Sequence, residues 1–376
     1  MKQLLYIAPV IIDFEKLNGV SKKILNQYKV FSKSYNVTLL SYGPDCLYYL
    51  NNDFFETIPL NQANRRLKMY SFINEKLSVN NYNFIYSRYH LCDLLFVNTL
   101  RILGRKAIKM VVEIPTYPYK KELLKSHNGF VRYFMDSSSN FLLRFFVGRI
   151  VTYSQDDKIY GIKAINTMNG IIYENVIPVQ KKQFSSKEIH LISVSMTVIC
   201  HGYDRLIEGI NSYYKLGGDV NIIYHLVGEG EEIKKYKDLV LKYGIEKHVL
   251  FYGFKTSDDL DVLYEKADIA INSLAIHRIG LQTESTIKSK EYAAKGLPMV
   301  SSYTVDAFSS QDNSKYVYQI SADETPVNIN ELIEFYKKMY ENADHNITEE
   351  IRLASEKRCD MSVTLNGIIE YFNTAV

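Results

Sequence analysis

The sequence predicts an α/β protein with two doubly wound domains. Short runs rich in β-branched and aromatic residues alternate with longer helical patterns, which is typical of βα units and parallel sheets. These runs form one series in each half of the chain. The length of 376 residues and the hydrophobic content of 47% are sufficient for two cores.

The predicted strands of the first half cover 3–10, 37–41, 83–87, 109–114 and 149–153, and those of the second half cover 190–194, 221–227, 249–254, 269–273 and 298–301. Helices are predicted over 19–33, 203–215, 231–243 and 362–372. The segment 175–187 combines a proline with polar and basic residues and lacks a clear period, so we predict a linker there. The predicted domains are 1–178 and 188–355, and 356–376 carries the last helix.

Charge and cysteine content exclude some classes of function. Lys and Arg number 45 against 42 Asp and Glu, and a net charge of +3 is too small to indicate nucleic-acid binding. The cysteines, Cys46, Cys92, Cys200 and Cys359, form no C-x-x-C pair, so we expect no zinc site or disulfide framework and a reducing, cytoplasmic location. No apolar run reaches the roughly 20 residues of a membrane span. We therefore expect a soluble protein, at most peripheral at the inner face of a membrane.

Two turns after predicted strands have glycines suited to ligand binding. Gly19 and Val20 begin the helix 19–33, where free N–H groups can face an anion; an ordinary turn or cap is the alternative. Gly228 permits a tight turn into the helix 231–243. The acidic start of that helix favours a capping role over a phosphate site.

The segment 274–299 is the strongest candidate for a site. Its loop contains His277 and Arg278, and a hydroxyl-rich helix start precedes Lys288 and Glu291. A helix N-terminus beside a cation and a carboxylate suits a nucleoside diphosphate, because N–H groups and cations bind phosphate and carboxylates bind ribose hydroxyls. An ordinary capped amphipathic helix is the alternative.

The run 291–300, EYAAKGLPMV, resembles the E-A-x-A-x-G-x-P-V-V element of GT-B glycosyltransferases, particularly glycosyltransferase family 4, the group 1 glycosyl transferases. Supporting matches occur in order along nearly the whole chain, at 19–20, 151–154, 169–170, 201–207, 227–231, 249–254 and 264–269. The resemblance implies two facing Rossmann-like domains, with a last helix that crosses back to the first domain.

The resemblance also implies a function. It predicts transfer of a sugar from a nucleotide-diphosphate donor to a glycan or lipid-linked acceptor, with retention of configuration and without an essential metal or other cofactor. Resemblance and composition together favour synthesis of a bacterial surface polysaccharide such as a capsule. A nucleotide-sugar epimerase and a non-catalytic partner of another glycosyltransferase remain alternatives.

Two departures from the family pattern concern the donor site. Thr283 replaces the first glutamate of the E-x7-E pattern, and Glu284 lies one position away. Ser195 and His201 stand where relatives often have an Arg and a Lys that neutralise the diphosphate. We therefore expect Arg278 first and Lys288 second to supply that charge, with His201 as a hydrogen-bond donor.

By the resemblance, Glu291 should bind the donor ribose and Phe254 should lie near the nucleobase. The predicted donor-binding residues are Gly19, Val20, His201, Gly228, Phe254, Arg278, Glu284, Ser285, Thr286, Lys288 and Glu291. The predicted catalytic residues are Glu113 and His90, which could orient the attacking hydroxyl, together with Arg278. A structural role is the alternative for His90.

In the acceptor half, the predicted binding residues are Tyr86, Arg88, Tyr117 and Tyr119, since aromatic faces and hydroxyls suit a sugar. The segment 130–149 interleaves aromatic residues with Arg132, Arg144 and Arg149. That pattern indicates either an anchor at a lipid surface or a helix that covers the core of the first domain.

Overall fold

The computed structural model describes the chain from residue 1 to residue 374, except 16, 52–53, 61–63, 79, 106, 127, 181–182, 256 and 342–345. Within helices, the side chains of residues 121, 122, 125 and 257 are also outside the description. The chain folds into two compact units: unit 1 contains Met1–Met168 and Met361–Val376, and unit 2 contains Asn169–Asp360.

The chain enters unit 2 before the predicted linker, because residues after Met168 bond to unit 2. The Ile171 N–H donates to the Cys359 carbonyl at 3.0 Å, and the Arg352 guanidinium donates to the Tyr173 carbonyl at 2.7 Å. The last helix belongs to unit 1, where Phe372 stacks on Phe84 with ring centroids 4.7 Å apart.

Unit 1 contains a nine-stranded sheet in the order β4-β3-β2-β1-β5-β6-β7-β9-β8, as far as the described residues go. Its strands are β1 (Gln3–Ile11), β2 (Asn36–Tyr42), β3 (Cys46–Asn51), β4 (Phe54–Pro59), β5 (Phe84–Arg88), β6 (Lys109–Ile114), β7 (Arg149–Thr152), β8 (Lys158–Ile159) and β9 (Ile162–Asn166). The five predicted strands of this half are present and pair in parallel.

The strands β3, β4 and β8 were not predicted, and they pair antiparallel to their neighbours. Only two or three residues separate each of them from its partner, which leaves no room for a helix and so no alternating βα pattern. The α/β class is confirmed, and the sheet of unit 1 contains both parallel and antiparallel pairs.

The helices of unit 1 are α1 (Gly19–Ser32), α2 (Arg65–Phe72), α3 (Leu94–Gly104), α4 (Lys120–Lys125), α5 (Gly129–Ser139) and, at the end of the chain, α13 (Met361–Asn373). A 3-10 turn, Asn140–Phe145, follows α5. Residues of β1, β5 and β6 form the centre of the core, where Leu5, Ile85 and Val112 have no exposed surface.

Unit 2 contains a six-stranded parallel sheet in the order β12-β11-β10-β13-β14-β15 within the described residues. Its strands are β10 (Glu188–Val194), β11 (Asn221–Val227), β12 (Val249–Phe251), β13 (Ile269–Ile271), β14 (Met299–Ser301) and β15 (Val317–Gln319). Its helices are α6 (Tyr203–Lys215), α7 (Ile233–Tyr243), α8 (Ser257–Lys266), α9 (Ile287–Lys295), α10 (Ser310–Tyr316), α11 (Ile329–Tyr340) and α12 (Ile347–Cys359).

The ends of α9 follow directly from its sequence. Thr286 is the N-cap, and its hydroxyl accepts a hydrogen bond from the Ser289 N–H at 3.3 Å. Gly296 ends the helix with a φ of +79°. That left-handed conformation favours glycine and turns the chain into β14.

Candidate functional site

In unit 2, the loops after three parallel strands meet at one edge of the sheet. The loop after β10 is bonded to the loop after β11, since the Thr197 N–H donates to the Glu229 carbonyl at 2.8 Å. It is also bonded to the chain after β13, since the Leu274 N–H donates to the His201 carbonyl at 2.9 Å. Ligands of open α/β sheets bind at this edge, beyond the carboxyl ends of the strands.

Gly228 and Gly230 allow two of these loops to approach closely. A Cβ atom on Gly228 would lie 1.9 Å from the carbonyl oxygen of Ser195, and one on Gly230 would lie 2.2 Å from that of Thr197. Both glycines have positive φ angles, +126° and +151°. The predicted site residue Gly228 therefore shapes the loop, because any side chain there would force the two backbones apart.

His201 lies at this edge as a buried, neutral imidazole. Its Nδ1 accepts a hydrogen bond from the Val198 N–H at 3.3 Å, and its ring stacks on Tyr203 with centroids 5.4 Å apart. Burial and the nearby Lys288 lower the pKa of His201 to about 2. Because Nδ1 accepts, Nε2 is assigned the proton, so the ring can donate a hydrogen bond, as the sequence predicted.

Lys288 is the unusual cation of this site. It is nine-tenths buried, and its Nζ has no hydrogen-bond partner among the residues that the structure describes. The ammonium group lies 5.7 Å from the centroid of the Tyr203 ring. Burial lowers the pKa of Lys288 to about 8, against the opposing effect of Glu284. An ammonium group kept dry without a partner is costly, so this arrangement suits an anionic ligand.

The start of α9 places backbone N–H groups beside the same lysine, because Lys288 is its second residue. The first N–H groups of a helix have no partner within it and carry partial positive charge. Thr286, a predicted site residue, is the helix cap, and its hydroxyl accepts a hydrogen bond from the Ser289 N–H. Glu284 is half-buried, and its Oε2 accepts a hydrogen bond from the Ser273 hydroxyl at 3.2 Å.

Ser285 has a structural role. Its hydroxyl donates to Asp306 at 2.6 Å and accepts from the backbone N–H of Asn169 at 3.0 Å, and Lys290 also donates to it at 3.2 Å. Lys290 is fully buried and forms an ion pair with Asp306. These bonds hold the start of α9 in place and leave the Ser285 hydroxyl little capacity for a ligand.

Arg278, the first choice for the diphosphate cation, is already paired. Nη1 and Nη2 each donate to one oxygen of Asp204 at 3.0 Å, and Nε donates to Glu324 at 3.0 Å. Hydrogen bonds to Glu324 and Asp204 raise the pKa of Arg278. Two carboxylates neutralise this guanidinium, so the geometry favours Lys288 over Arg278 for phosphate and for any catalytic charge.

The remaining predicted residues of unit 2 lie near this edge of the sheet. Glu291 is half-buried on α9, one turn beyond Lys288. Phe254, which is 69% exposed, follows β12 in the loop whose Gly253 carbonyl accepts from the Gly228 N–H at 2.8 Å. Thr283 is exposed in the loop before α9.

In unit 1, Glu113 is the centre of a buried ion cluster at the end of β6. It has no exposed surface and forms ion pairs of 2.8 Å with both Lys23 and Arg88. The hydroxyls of Tyr86 and Tyr153 also donate to its carboxylate at 2.8 Å. Lys23, Arg88 and the hydrogen bonds hold the pKa of Glu113 well below its usual range despite burial.

This cluster changes the interpretation of three predicted residues. A carboxylate with such a low pKa and no exposed surface is a poor general base, so the geometry favours a structural role for Glu113. Tyr86 and Arg88, predicted to bind the acceptor, are buried and directed to Glu113. Their burial places them under the edge of the sheet, where an acceptor would not contact them.

Tyr119 lines a cavity of about 300 Å³, and Tyr117 lies beside that cavity. Tyr119 lines this cavity together with Tyr89, His90, Thr116, Ser126 and Arg132, among others. Tyr117 packs against Tyr119 with ring centroids 6.3 Å apart. Burial, with Arg66 and other cations nearby, lowers the pKa of His90, so the imidazole is neutral at pH 7. A neutral imidazole at a cavity can accept a proton, which keeps His90 as a candidate base.

Gly19 and Val20 occupy the first turn of α1, and both are exposed. The N-cap is Asn18, whose side-chain oxygen accepts from the Ser21 N–H at 2.9 Å. The structure therefore confirms a capped helix start at this position. Its exposed first turn is compatible with ligand binding.

Sequence reasoning missed Lys23 and Tyr153 as partners of Glu113, and Asp204 and Glu324 as partners of Arg278. Lys23 lies one turn beyond Gly19 on α1, but the local pattern does not tell which buried group it meets. Asp204 and Arg278 are 74 residues apart in the chain. A pairing over such a distance has no signal in a single sequence.

Two searches of the described part of the chain gave negative results. No group of three or more His, Cys, Asp and Glu side chains there is arranged to hold a metal ion. No helix there is long and apolar enough to cross a membrane.

Comparison with known proteins points to one class of enzyme. Residues 178–302 match the family model described as Glycosyl transferases group 1. A search of curated protein sequences finds no match. Solved glycosyltransferases align over almost the whole chain and show that it shares their fold.

One similar structure is HepE from Anabaena in complex with UDP, which is 14% identical and has a TM-score of 0.62, with 99% of each chain covered. A glycosyltransferase from Rickettsia africae is also 14% identical, with a TM-score of 0.63 and coverage of 99% of this chain and 97% of that chain. The catalytic domain of starch synthase IV from Arabidopsis thaliana, bound to ADP and acarbose, is 12% identical, with a TM-score of 0.67 and coverage of 99% and 98%.

The chain has the GT-B fold of these glycosyltransferases, and its residues 178–302 resemble the group 1 family. The predicted fold class and resemblance are thereby confirmed. The group 1 match covers β10 to β14 of unit 2, and therefore includes His201, Arg278, Lys288 and Glu291.

Proposed function

We propose that this protein is a glycosyltransferase that uses a nucleoside-diphosphate sugar, bound by unit 2, and glycosylates a hydroxyl group of a glycan or lipid-linked acceptor, bound by unit 1. The observation that carries the proposal is Lys288, a buried ammonium group without a hydrogen-bond partner in the described structure, at the N-terminus of α9. It lies within the region that matches the group 1 family model.

A diphosphate provides what this site lacks. Lys288 is mostly protonated at pH 7, since its pKa of about 8 is above that pH. Its charge, the Nε2 proton of neutral His201 and the first N–H groups of α9 together form an anion site. On the basis of the resemblance, we propose that Glu291 binds the ribose and that Phe254 lies near the nucleobase.

In the proposed reaction, the bond between the anomeric carbon and the diphosphate oxygen breaks, and its electron pair stays on the diphosphate. A bond forms between the anomeric carbon and the acceptor oxygen, and the proton of that hydroxyl passes to the released diphosphate or to solvent. Lys288 and the α9 N-terminus stabilise the charge that develops on the leaving group. On the basis of the resemblance, we propose that the transfer retains the configuration and needs no metal.

For the acceptor, we infer that the cavity beside Tyr119 and His90 is the binding site. The faces of Tyr89 and Tyr119 suit a sugar ring, and Ser126 and Arg132 provide polar contacts at its rim. Assignment to a bacterial surface polysaccharide such as a capsule rests on the resemblance and the composition of the sequence.

Hydrolysis of UDP-, GDP- and dTDP-sugars without acceptor tests the function and identifies the donor. We expect slow release of one nucleoside diphosphate, faster when the natural acceptor is added. Conversion of one sugar nucleotide to its epimer would instead support an epimerase. Absence of binding to every nucleotide in calorimetry would support a non-catalytic partner protein.

The role of Lys288 is tested with Lys288→Met and the control Lys234→Met, because Lys234 is exposed on α7. We expect Lys288→Met to weaken binding of the nucleoside diphosphate by roughly tenfold to a hundredfold, the usual range for a charge-assisted phosphate contact. Binding of the nucleoside without phosphate should change much less. Equal diphosphate affinity of Lys288→Met and wild type would contradict the proposal.

A further inference from the structure

We propose that α5 and the 3-10 turn after it dock onto a lipid bilayer that contains anionic lipids. The surface consists of Phe130, Val131, Phe134, Met135, Phe141 and Phe145, and we refer to it as the α5 face. The α5 face lies on unit 1. The proposal goes beyond the proposed sugar transfer, because membrane docking can be measured without donor or acceptor.

The first observation is that α5 is inverted with respect to an ordinary surface helix. Its buried residues are Gly129, Asp136 and Ser139, whereas its large apolar residues face outward. The exposed fractions are 73% for Phe130, 57% for Val131, 66% for Phe134 and 49% for Met135. A helix that covered the core of unit 1 would bury these side chains, so the structure does not support that alternative.

The inversion is held in place by Asp136. Its Oδ1 accepts the backbone N–H of Cys92 at 2.7 Å, and its carboxylate also accepts hydrogen bonds from the hydroxyls of Tyr89 and Tyr119. Rotation of α5 to bury its phenylalanines would expose these groups and break the bonds. The apolar residues are therefore held outward by the fold.

The 3-10 turn that follows α5 also exposes aromatic side chains. Phe141 is 47% exposed and Phe145 is 63% exposed, whereas Leu143 between them is fully buried. An isolated exposed apolar residue is normal, but several large apolar residues exposed on two consecutive elements indicate a contact surface.

Charge selects a membrane as the partner. Arg144 lies over the rings of Phe141 and Phe145, with its guanidinium carbon 5.9 and 5.0 Å from their centroids. Arg132 lies on α5, and Lys120, at the start of α4, is exposed. Within 129–145 the only acidic residue is Asp136, which is buried.

Aromatic side chains interleaved with arginines, without exposed carboxylates, match the boundary between anionic headgroups and acyl chains. There the rings leave water while the guanidinium groups remain near the phosphates. We therefore assign the α5 face to the bilayer.

The experiment is co-sedimentation of the full chain with vesicles of phosphatidylcholine alone and of phosphatidylcholine mixed with phosphatidylglycerol. We expect the wild type to bind the anionic vesicles and to bind much less to the neutral ones, with loss of binding as salt is raised. Phe130→Ser combined with Phe134→Ser should reduce the partition coefficient by roughly tenfold or more. Arg132→Gln and Arg144→Gln should each reduce it by about fivefold.

Matched controls come from unit 1. Phe54→Ser with Phe55→Ser removes two rings of similar exposure, 55% and 53%, that lie beside the exposed carboxylate of Glu56. Arg101→Gln removes an exposed guanidinium from α3. Both controls should bind vesicles like the wild type, and thermal unfolding should show that all variants are folded.

Equal vesicle binding by the Phe130/Phe134 variant and the wild type would overturn the proposal. A wild type that binds neither kind of vesicle would also overturn it. A dimer that the α5 variants convert to monomers, without any vesicle binding, would overturn it as well, because the α5 face would then bind a second copy of the chain. Donor hydrolysis in detergent-free buffer should be the same in wild type and in the Phe130/Phe134 variant. Failure of docking and failure of the proposed function are therefore separate results.

Discussion

Arg278 binds Asp204 end-on, with Nη1–Oδ1 and Nη2–Oδ2 distances that are both 3.0 Å. Asp204 also accepts a hydrogen bond from Lys235 at 2.7 Å, and Glu324 pairs with the outer edge of the guanidinium. This relationship ties the loop after β13 to the start of α6. It also makes the two cations of the segment 274–299 different, because the charge of Arg278 is neutralised by carboxylates and that of Lys288 is not.

Replacement of Arg278 should affect stability more than ligand binding. Arg278→Gln leaves the mostly buried carboxylate of Asp204 with only one cation, and we expect a loss of about 2–4 kcal/mol in the free energy of unfolding. Affinity for the nucleoside diphosphate should fall less than in Lys288→Met. Urea unfolding and calorimetry measure the two quantities. An Arg278→Gln variant of normal stability that no longer binds nucleotide would show that Arg278 contacts phosphate.

The buried ammonium group of Lys288 should lower the free energy of unfolding relative to an uncharged side chain at the same position. Burial lowers its pKa to about 8, so the folded state disfavours the ammonium form. Lys288→Met removes that penalty while it preserves much of the side-chain volume, and we expect it to raise the free energy of unfolding at pH 7 by about 1–3 kcal/mol.

The pH dependence provides a second measurement for Lys288. Between pH 8 and the ordinary lysine value of 10.5, the unfolded chain binds a proton that the folded chain has released, so stability rises with pH from this group. The difference in free energy between Lys288→Met and wild type should therefore shrink over that interval. A destabilised Lys288→Met at pH 7 would indicate that the ammonium group has a structural partner.

Glu113 should be essential for folding of unit 1. Glu113→Gln leaves Lys23 and Arg88 buried without their counter-charge, and we expect a loss of about 3–5 kcal/mol. Urea unfolding of this variant is compared with Glu56→Gln, which changes an exposed carboxylate on β4 and should have almost no effect. If Glu113→Gln had normal stability and only its turnover fell, Glu113 would be a catalytic base after all.

Gly228 should tolerate no side chain. In Gly228→Ala the new Cβ would lie 1.9 Å from the Ser195 carbonyl oxygen, so the loops after β10 and β11 must separate. We expect weaker nucleotide binding and a loss of more than about 3 kcal/mol. Gly244→Ala is the control, because that glycine also has a positive φ but its Cβ would meet nothing within 4 Å. It should cost about 1 kcal/mol and leave binding unchanged.

His225 should make unit 2 sensitive to acid. Burial, together with His190, lowers the pKa of His225 to about 4, and its ring bonds to Tyr252 at 2.8 Å. Below the ordinary value of 6.5 the unfolded chain binds a proton that the folded chain excludes, so stability falls as pH falls from 6.5 to 4. Chemical unfolding should show this loss, about 2–3 kcal/mol, and His225→Gln should reduce it. An unchanged slope in His225→Gln would assign the acid sensitivity to other groups.

Local patterns were sufficient to predict several elements of both units. The strands 109–114 of unit 1 and 221–227 of unit 2 have the predicted bounds, as does the helix 203–215 beside the proposed donor site. At α9, a hydroxyl residue at the start and Gly296 at the end are local signals, so the helix could be placed before any contact was known. The hairpin of β3 and β4 was missed because only two residues separate its strands, which leaves no room for the helix that the alternating βα pattern requires.

The sequence by itself determined the α/β class, the positions of most parallel strands along the chain and the position of α9. It could do so because the hydrophobic period, the caps and the turn residues act over a few neighbouring positions. Only the tertiary structure decided which charges are neutralised and which faces are exposed. The sequence ranked Arg278 above Lys288 as the phosphate cation, and the pairing of Arg278 with Asp204, 74 residues away, reverses that order. Likewise the apolar period of α5 predicts a buried face, but the hydrogen bonds of buried Asp136 turn that face outward.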